Sequence, residues 1–410
     1  MDSYKVNNFG IIEYLYVISC AIAFISKIGY IQPSPIIQYS IFIFWILLAI
    51  LKFVKNKFNV KSIDKNIRIC FLLFLTPKIV VHLYSFILYV TGVTDYFTRN
   101  TKTYLIVLSV FAIVYIFGKK SLNYTIASCI ISFSIIIFYD CWMYGVDTIP
   151  KTFISIFTGE FAKIASLYEV HDYTFAIGYL ILYYLFVKER LNKLDLVIVF
   201  VLSIFTIMGF KRIQILTLIL IMAFWIICKI IKNKYKFYKV TSYIFILISY
   251  FYIFTLSSGI FFKIINSLGI NSMGRNYYYE VIIKMCEFNI FFLGKGRNYV
   301  PNILTTDYAY LNVGGVHSDI LKYYAECGFI LFGIWMWYYL IKFIKFLNNK
   351  YSFKVVQGYY LLTIYSFMIY YTDNIEIYFI SQYIYMLIVV VLTMNDSKLK
   401  NNSLKEAMYN

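Results

Sequence analysis

Long apolar runs broken by short basic turns set the pattern of this chain. A helix needs about 20 mainly apolar residues to cross a bilayer, and runs of that kind recur from end to end. They predict about twelve spans: 9–30, 36–54, 67–90, 103–117, 122–141, 173–187, 194–208, 213–231, 240–256, 320–341, 355–371 and 375–394. The third carries Pro77, Lys78 and His82 in mid-run. One long segment, 257–319, is too polar to cross and reads as a large loop between spans. Inside it, 276–287 has the period of an amphipathic helix, with Tyr279, Ile282, Ile283 and Cys286 on one face. That register puts Arg275 at the helix N-terminus. The second-longest polar stretch, 142–172, holds Asp147, Glu160, Lys163, Glu169 and His171 and reads as a half-inserted or interfacial helix.

Composition agrees with this pattern. Of 410 residues, 61% are hydrophobic, against about 45–50% in a soluble domain. The expectation is an all-α polytopic membrane protein with a single transmembrane domain. The net charge of +18 would suggest nucleic acid in a soluble chain. Here the cations gather in the turns 52–68, 119–120, 188–193, 229–239 and 342–354 and in the tail 398–405. With twelve spans these all fall on one side, which the positive-inside rule makes the cytoplasm. Both termini are then cytoplasmic, the bilayer with its anionic lipid is the partner, and nucleic acid is not. Seven scattered cysteines have no metal-ligand or disulfide spacing, and the first span reads as a retained helix rather than a cleaved signal.

Candidate chemistry lies on the opposite side. Lys211 and Arg212 occupy a four-residue turn there, against the charge rule. They read either as an anion site or as side chains reaching for headgroups. Arg275 reads as an anion ligand reinforced by the N–H groups of its helix, or as a surface arginine. His317 stands where the large loop re-enters the membrane, after Gly314-Gly315. It reads as a general base or as an interfacial histidine beside an N-cap at Ser318 or Asp319. Glu326 follows in the next helix, just before Gly328. Asp373 and Asn374 form a short outer turn that could hold an acceptor hydroxyl or orient Arg212. His82, one turn from Lys78, reads as packing or a buried pair, and His171 as a loop residue. Gly294-Lys295-Gly296 lacks the third glycine and the strand–helix context of a nucleotide loop and reads as a tight turn.

These motifs, taken in order, resemble the O-antigen polymerase and ligase superfamily. The matching residues are Lys211-Arg212, Gly274-Arg275, Gly294-Lys295-Gly296, His317-Ser318-Asp319 and Glu326-Cys327-Gly328, across 209–328. A histidine followed by serine stands here where the family commonly has asparagine. The chain looks more like a Wzy-type polymerase than a ligase. The resemblance implies a GT-C-like helical fold in the bacterial plasma membrane and chemistry at its outer face. It implies undecaprenyl-diphosphate-linked oligosaccharides as substrates, chain-length regulators as co-working partners, and no metal, nucleotide sugar or other cofactor. The chemistry of a diphosphate leaving group then points to Arg212 and Arg275, helped by Lys211, as its ligands, and to His317 as base or orienting donor. Asp319, Glu326, Asp373 and Asn374 are the further expected substrate contacts. A ligase with a different acceptor and a lipid-linked oligosaccharide flippase are the alternatives. The flippase is disfavoured because the charges gather beside one loop rather than between two halves.

Overall fold

The computed structural model describes residues 10–25, 35–88, 93–147, 150–151, 171–188, 191–209, 211–269, 274–308 and 316–396. The expected Glu160, Lys163 and Glu169, the Gly314-Gly315 pair and the basic tail lie outside them. Among the described residues the chain is helical, without strands. The helices are α1 (Ile11–Ile25), α2 (Pro35–Lys55), α3 (Lys65–Leu88), α4 (Val93–Phe117), α5 (Ser121–Tyr144), α6 (His171–Leu182), α7 (Lys193–Met208) and α8 (Arg212–Ile230). They continue as α9 (Lys234–Ser257), α10 (Ile260–Ser267), α11 (Arg275–Ile283), α12 (Tyr299–Thr305), α13 (Asp319–Trp337), α14 (Phe343–Lys350), α15 (Phe353–Tyr370) and α16 (Phe379–Asn395).

Among the described residues, six helical segments are long and apolar enough to cross a membrane: Ile36–Lys55, Lys65–Ile87, Thr101–Tyr144, Arg212–Ile230, Lys234–Ser257 and Asp319–Lys350. Ile11–Ile25, Tyr173–Val187 and Phe379–Asn395 are shorter apolar helices. Their outward faces carry large exposed aliphatic and aromatic side chains, among them Leu51, Ile219, Leu247 and Phe251. Lipid as the surrounding solvent accounts for such surfaces. The loop expected over 91–102 is helical from Val93 onward. Nothing between Gly92 and Gly118 breaks the helix, so α4 carries its polar first turns intact. The large loop is also ordered into helix, at α10, α11 and α12.

The C-terminal pair α15 and α16 forms the centre. Every residue of α16 from Phe379 to Thr393 is buried, as expected of a helix apolar on all sides. It packs against α3, α4, α5, α6 and α15. Buried tyrosine hydroxyls need partners. Tyr16 meets Thr125 and Tyr383, Tyr179 meets Ser366, and Tyr385 meets Thr363.

α13 is broken in mid-course. Gly328 has φ 73° and ψ −179°, outside helical space. The break frees backbone groups that helix geometry would have paired, and the large loop supplies their partners. Lys295 N–H donates to Ala325 O at 2.8 Å, Gly296 N–H to Glu326 O at 2.9 Å, and Phe329 N–H to Phe292 O at 2.8 Å. The approach requires glycine on both sides. A Cβ on Gly294 would stand 2.4 Å from Gly328 N, and one on Gly328 would stand 2.2 Å from the Leu293 carbonyl carbon. The G-x-G motif is therefore a docking surface for a broken helix. Tyr84 Oη donates to Leu293 O at 2.7 Å, and Arg297 N–H donates to Ser85 Oγ at 2.9 Å, pinning the same segment to α3.

Gly294→Ala or Gly328→Ala is expected to cost about 3 kcal/mol or more, combining backbone overlap with a positive φ. Gly118→Ala keeps the positive φ but meets nothing within 4 Å, so its cost is about 1 kcal/mol. Thermal unfolding in detergent separates the two classes.

Candidate functional site

Two charge clusters share the end of the bundle where α13 begins and α15 turns into α16. The inner one is built on helical spacing. Asp319, Lys322, Tyr323 and Glu326 recur at i, i+3, i+4 and i+7 and so share one face of α13. Lys78, His82 and Ser85 form a matching polar stripe on α3. Between them come Arg297 from the loop and Glu376 from the one-turn 3-10 helix Ile375–Ile377.

Glu376 is the hub. Arg297 Nη2 donates to its two carboxylate oxygens at 2.9 and 2.8 Å, and Tyr323 Oη donates at 2.5 Å. Lys322 Nζ lies at 3.3 Å and Lys78 Nζ at 3.9 Å. Arg297 Nη1 donates to Glu326 Oε2 at 3.1 Å, and the guanidinium lies over the Tyr323 ring. The Glu376 N–H donates to Asp319 Oδ2 at 2.8 Å. Three cations thus meet three carboxylates, all nearly closed off from solvent. Burial penalises the Glu376 carboxylate, and Arg297, Lys322 and Lys78 supply the charge that compensates it. The spaces on either side, lined by Lys78, Tyr323, Trp335, Tyr339 and Glu376, are water-sized.

The outer cluster centres on Asp373. Lys211 Nζ lies 3.4 Å from its Oδ2, His317 Nδ1 lies 3.8 Å from its Oδ1, and Tyr378 Oη donates to Oδ1 at 3.0 Å. Burial favours the neutral acid, yet His317, Lys211 and the Asn374 N–H together hold Asp373 below the ordinary carboxylate range. His317 has φ 52°, a left-handed conformation uncommon for a residue with a side chain. Tyr279 of α11 donates from Oη to the His317 carbonyl at 3.0 Å. Burial pushes the Tyr279 phenol up to about 12, against the opposing charge of Arg275. Arg275 thus stands near the histidine segment, at the half-buried first residue of α11.

No protein-family model, curated protein or solved structure matches the chain. The site therefore rests on its own geometry.

Of the residues expected from sequence, Lys211, Asp373 and His317 come together directly, and Arg275 opens the helix whose Tyr279 holds the His317 carbonyl. Arg212 opens α8 beside Lys211 with its side chain exposed. Lys211 is turned inward rather than toward headgroups, because Asp373 lies beneath it. Asp373 faces Lys211 and His317. Asp319 and Glu326 belong to the inner network, and Asn374 is buried in the turn between the clusters. Ser318 is the N-cap of α13, with Oγ accepting from Leu321 N–H at 3.2 Å. His82 pairs with Tyr104, in line with the buried-pair reading of that histidine, while Lys78 lies against Glu376. Sequence reasoning passed over Arg297, Lys322, Tyr323 and Glu376. The heptad spacing of polar residues on α13 was the available signal for Lys322 and Tyr323. Nothing local marked Glu376.

Glu376→Gln is expected to lower stability by about 3–5 kcal/mol, because it leaves buried cations without their counter-charge. Thermal unfolding in detergent measures this, with Glu287→Gln on the exposed loop as the control. The Asp373 carboxyl is depressed when folded, so its contribution is complete above its unfolded pKa of about 3.8. It is lost as pH falls through the lower folded value. Stability measured against pH should therefore keep this contribution from neutral pH to mild acid, and Asp373→Asn should remove part of the strong-acid decline.

Proposed function

We propose that the chain is a glycosyltransferase of the bacterial plasma membrane that joins oligosaccharide repeats carried on undecaprenyl diphosphate. The observation that carries this reading is the outer cluster. A partly exposed imidazole, an ionised carboxylate and basic side chains meet at one end of an apolar helix bundle. In this reading the fold is GT-C-like with about twelve spans, both termini are cytoplasmic, and 257–319 lies outside.

The reaction breaks the bond between the anomeric carbon of the growing glycan and its diphosphate oxygen. It forms a bond from that carbon to a hydroxyl oxygen of the incoming repeat. The leaving diphosphate carries concentrated negative charge. Arg275 and Arg212, each the first residue of a helix, have the planar donor fork that suits phosphate. Their helix N-termini add oriented N–H groups at the same place. His317 takes the proton of the acceptor hydroxyl as the new bond forms. Lys211 supports the site as the counter-ion of Asp373 rather than as a direct phosphate ligand.

Arg275→Ala and Arg212→Ala are each expected to abolish polymer in producing cells while the protein stays in the membrane. Single repeats should then reach the final acceptor. Chains of normal length in both variants would overturn the reading. Polymer accumulating on the lipid carrier in cells lacking the protein would point to the ligase instead. His317→Ala should lower turnover by about 10²–10⁴-fold.

A further inference from the structure

The two clusters are mechanically joined, and the joint runs through the histidine. Asp319 N–H donates to the Asp373 carbonyl at 3.3 Å, while Asp319 Oδ2 accepts from Glu376 N–H at 2.8 Å. Ser318 Oγ donates to the Tyr370 carbonyl at 3.3 Å. The residues just after His317 are therefore tied to both ends of the turn that carries Asp373 and Glu376. Arg297, Lys322 and Lys78 clamp that turn through Glu376.

The imidazole itself is oriented. The His317 side chain is 33% exposed, yet its Nδ1 is shut off from solvent and has no hydrogen-bond partner. Nδ1 is aimed at Asp373 Oδ1, 3.8 Å away. The exposed part of the ring is therefore the side bearing Nε2. An imidazole whose Nδ1 is buried against a carboxylate has its other nitrogen turned to the open side.

We propose that the turn 372–376 is a positioning device for His317: Asp373 aims its Nε2 at the acceptor hydroxyl, and the Arg297–Glu376 clamp sets where Asp373 stands. Asp373, Glu376 and Arg297 are positioning residues, and of these four side chains only that of His317 meets substrate. Lys211 keeps Asp373 ionised from the opposite side. The assignment rests on the polymerase reading for the identity of the hydroxyl, but the orientation of the ring does not depend on it.

Carbethoxylation by diethyl pyrocarbonate tests the orientation without turnover. The full-length protein is held in lipid nanodiscs, and adducts are read by peptide mass spectrometry. In the wild type, His317 is expected to take one carbethoxy group, at the open nitrogen. Asp373→Asn and the conservative Arg297→Lys should both release the ring, so that a second group on the other nitrogen becomes prominent. Buried His82 reports on the fold and should stay unreacted throughout. If Arg297→Lys exposes His82, Glu376→Gln carries the same comparison. A wild-type ring that takes two groups, or variants that match the wild type with His82 protected, would overturn the proposal. A released ring with undiminished polymer in Asp373→Asn cells would instead overturn the role of His317 in polymerisation and leave the positioning link standing.

Discussion

A carboxylate met by three cations, inside a bundle of apolar helices, is the interaction on which the rest of this structure turns. An ion with no counter-charge in such surroundings carries a desolvation cost of several kcal/mol. Lys78 on α3 and Lys322 on α13 have their side chains nearly shut off from solvent. Glu376 answers both, and Arg297 adds the donors that bind Glu376 and Glu326 together. Removing any one member leaves the others exposed to that cost, so the segments that supply them assemble together. The large loop contributes Arg297 and is therefore part of the core rather than a cover laid over it.

The same loop segment solves a second problem. A helix interrupted within a membrane must find partners for the backbone groups it releases. The break at Gly328 finds them in Phe292, Lys295 and Gly296. Docking that strip against α13 carries Arg297, one residue beyond Gly296, to the carboxylates. The backbone contact and the charge contact thus depend on one register. A slip of the loop would break both. The clash distances at Gly294 and Gly328 show how little room that register leaves.

Much of this was legible in the chain, and the limits have physical reasons. Lipid demands length and hydropathy from a crossing helix, so the runs that became α2, α3, α8, α9 and α13 were plain. Of the residues aligned by the amphipathic period of 276–287, Tyr279, Ile282 and Ile283 lie on the buried face of α11, and Cys286 is buried just beyond the helix, which ends at Ile283. The serine and aspartate after His317 read as a helix start, and Ser318 is the cap. Arg297 was hidden because a charge in a polar loop defaults to solvent, and only the docking of Gly294 on Gly328 turns it inward. Lys211 was misplaced for the related reason that a helix end does not reveal what lies beneath it. Glu376 lies in a stretch that reads as the start of a span, where a lone carboxylate has no visible partner. Its partners are 54, 79 and 298 positions away, beyond any periodic signal.

The division between the clusters also bears on where chemistry can occur. In the inner cluster Glu376 is saturated by donors, and the space beside it is water-sized. Groups bound that fully have little left to offer a reacting molecule. The outer cluster is different. His317 is a third exposed, holds a strained backbone angle, and lies beyond hydrogen-bond distance from Asp373. Strain of this kind persists only when the surroundings over-determine it. Here Tyr279, Ser318, Asp319 and the turn at Asp373 do so. The buried ion-pair cluster thus serves as the rigid base, and the partly exposed imidazole above it is the group open to a reacting molecule.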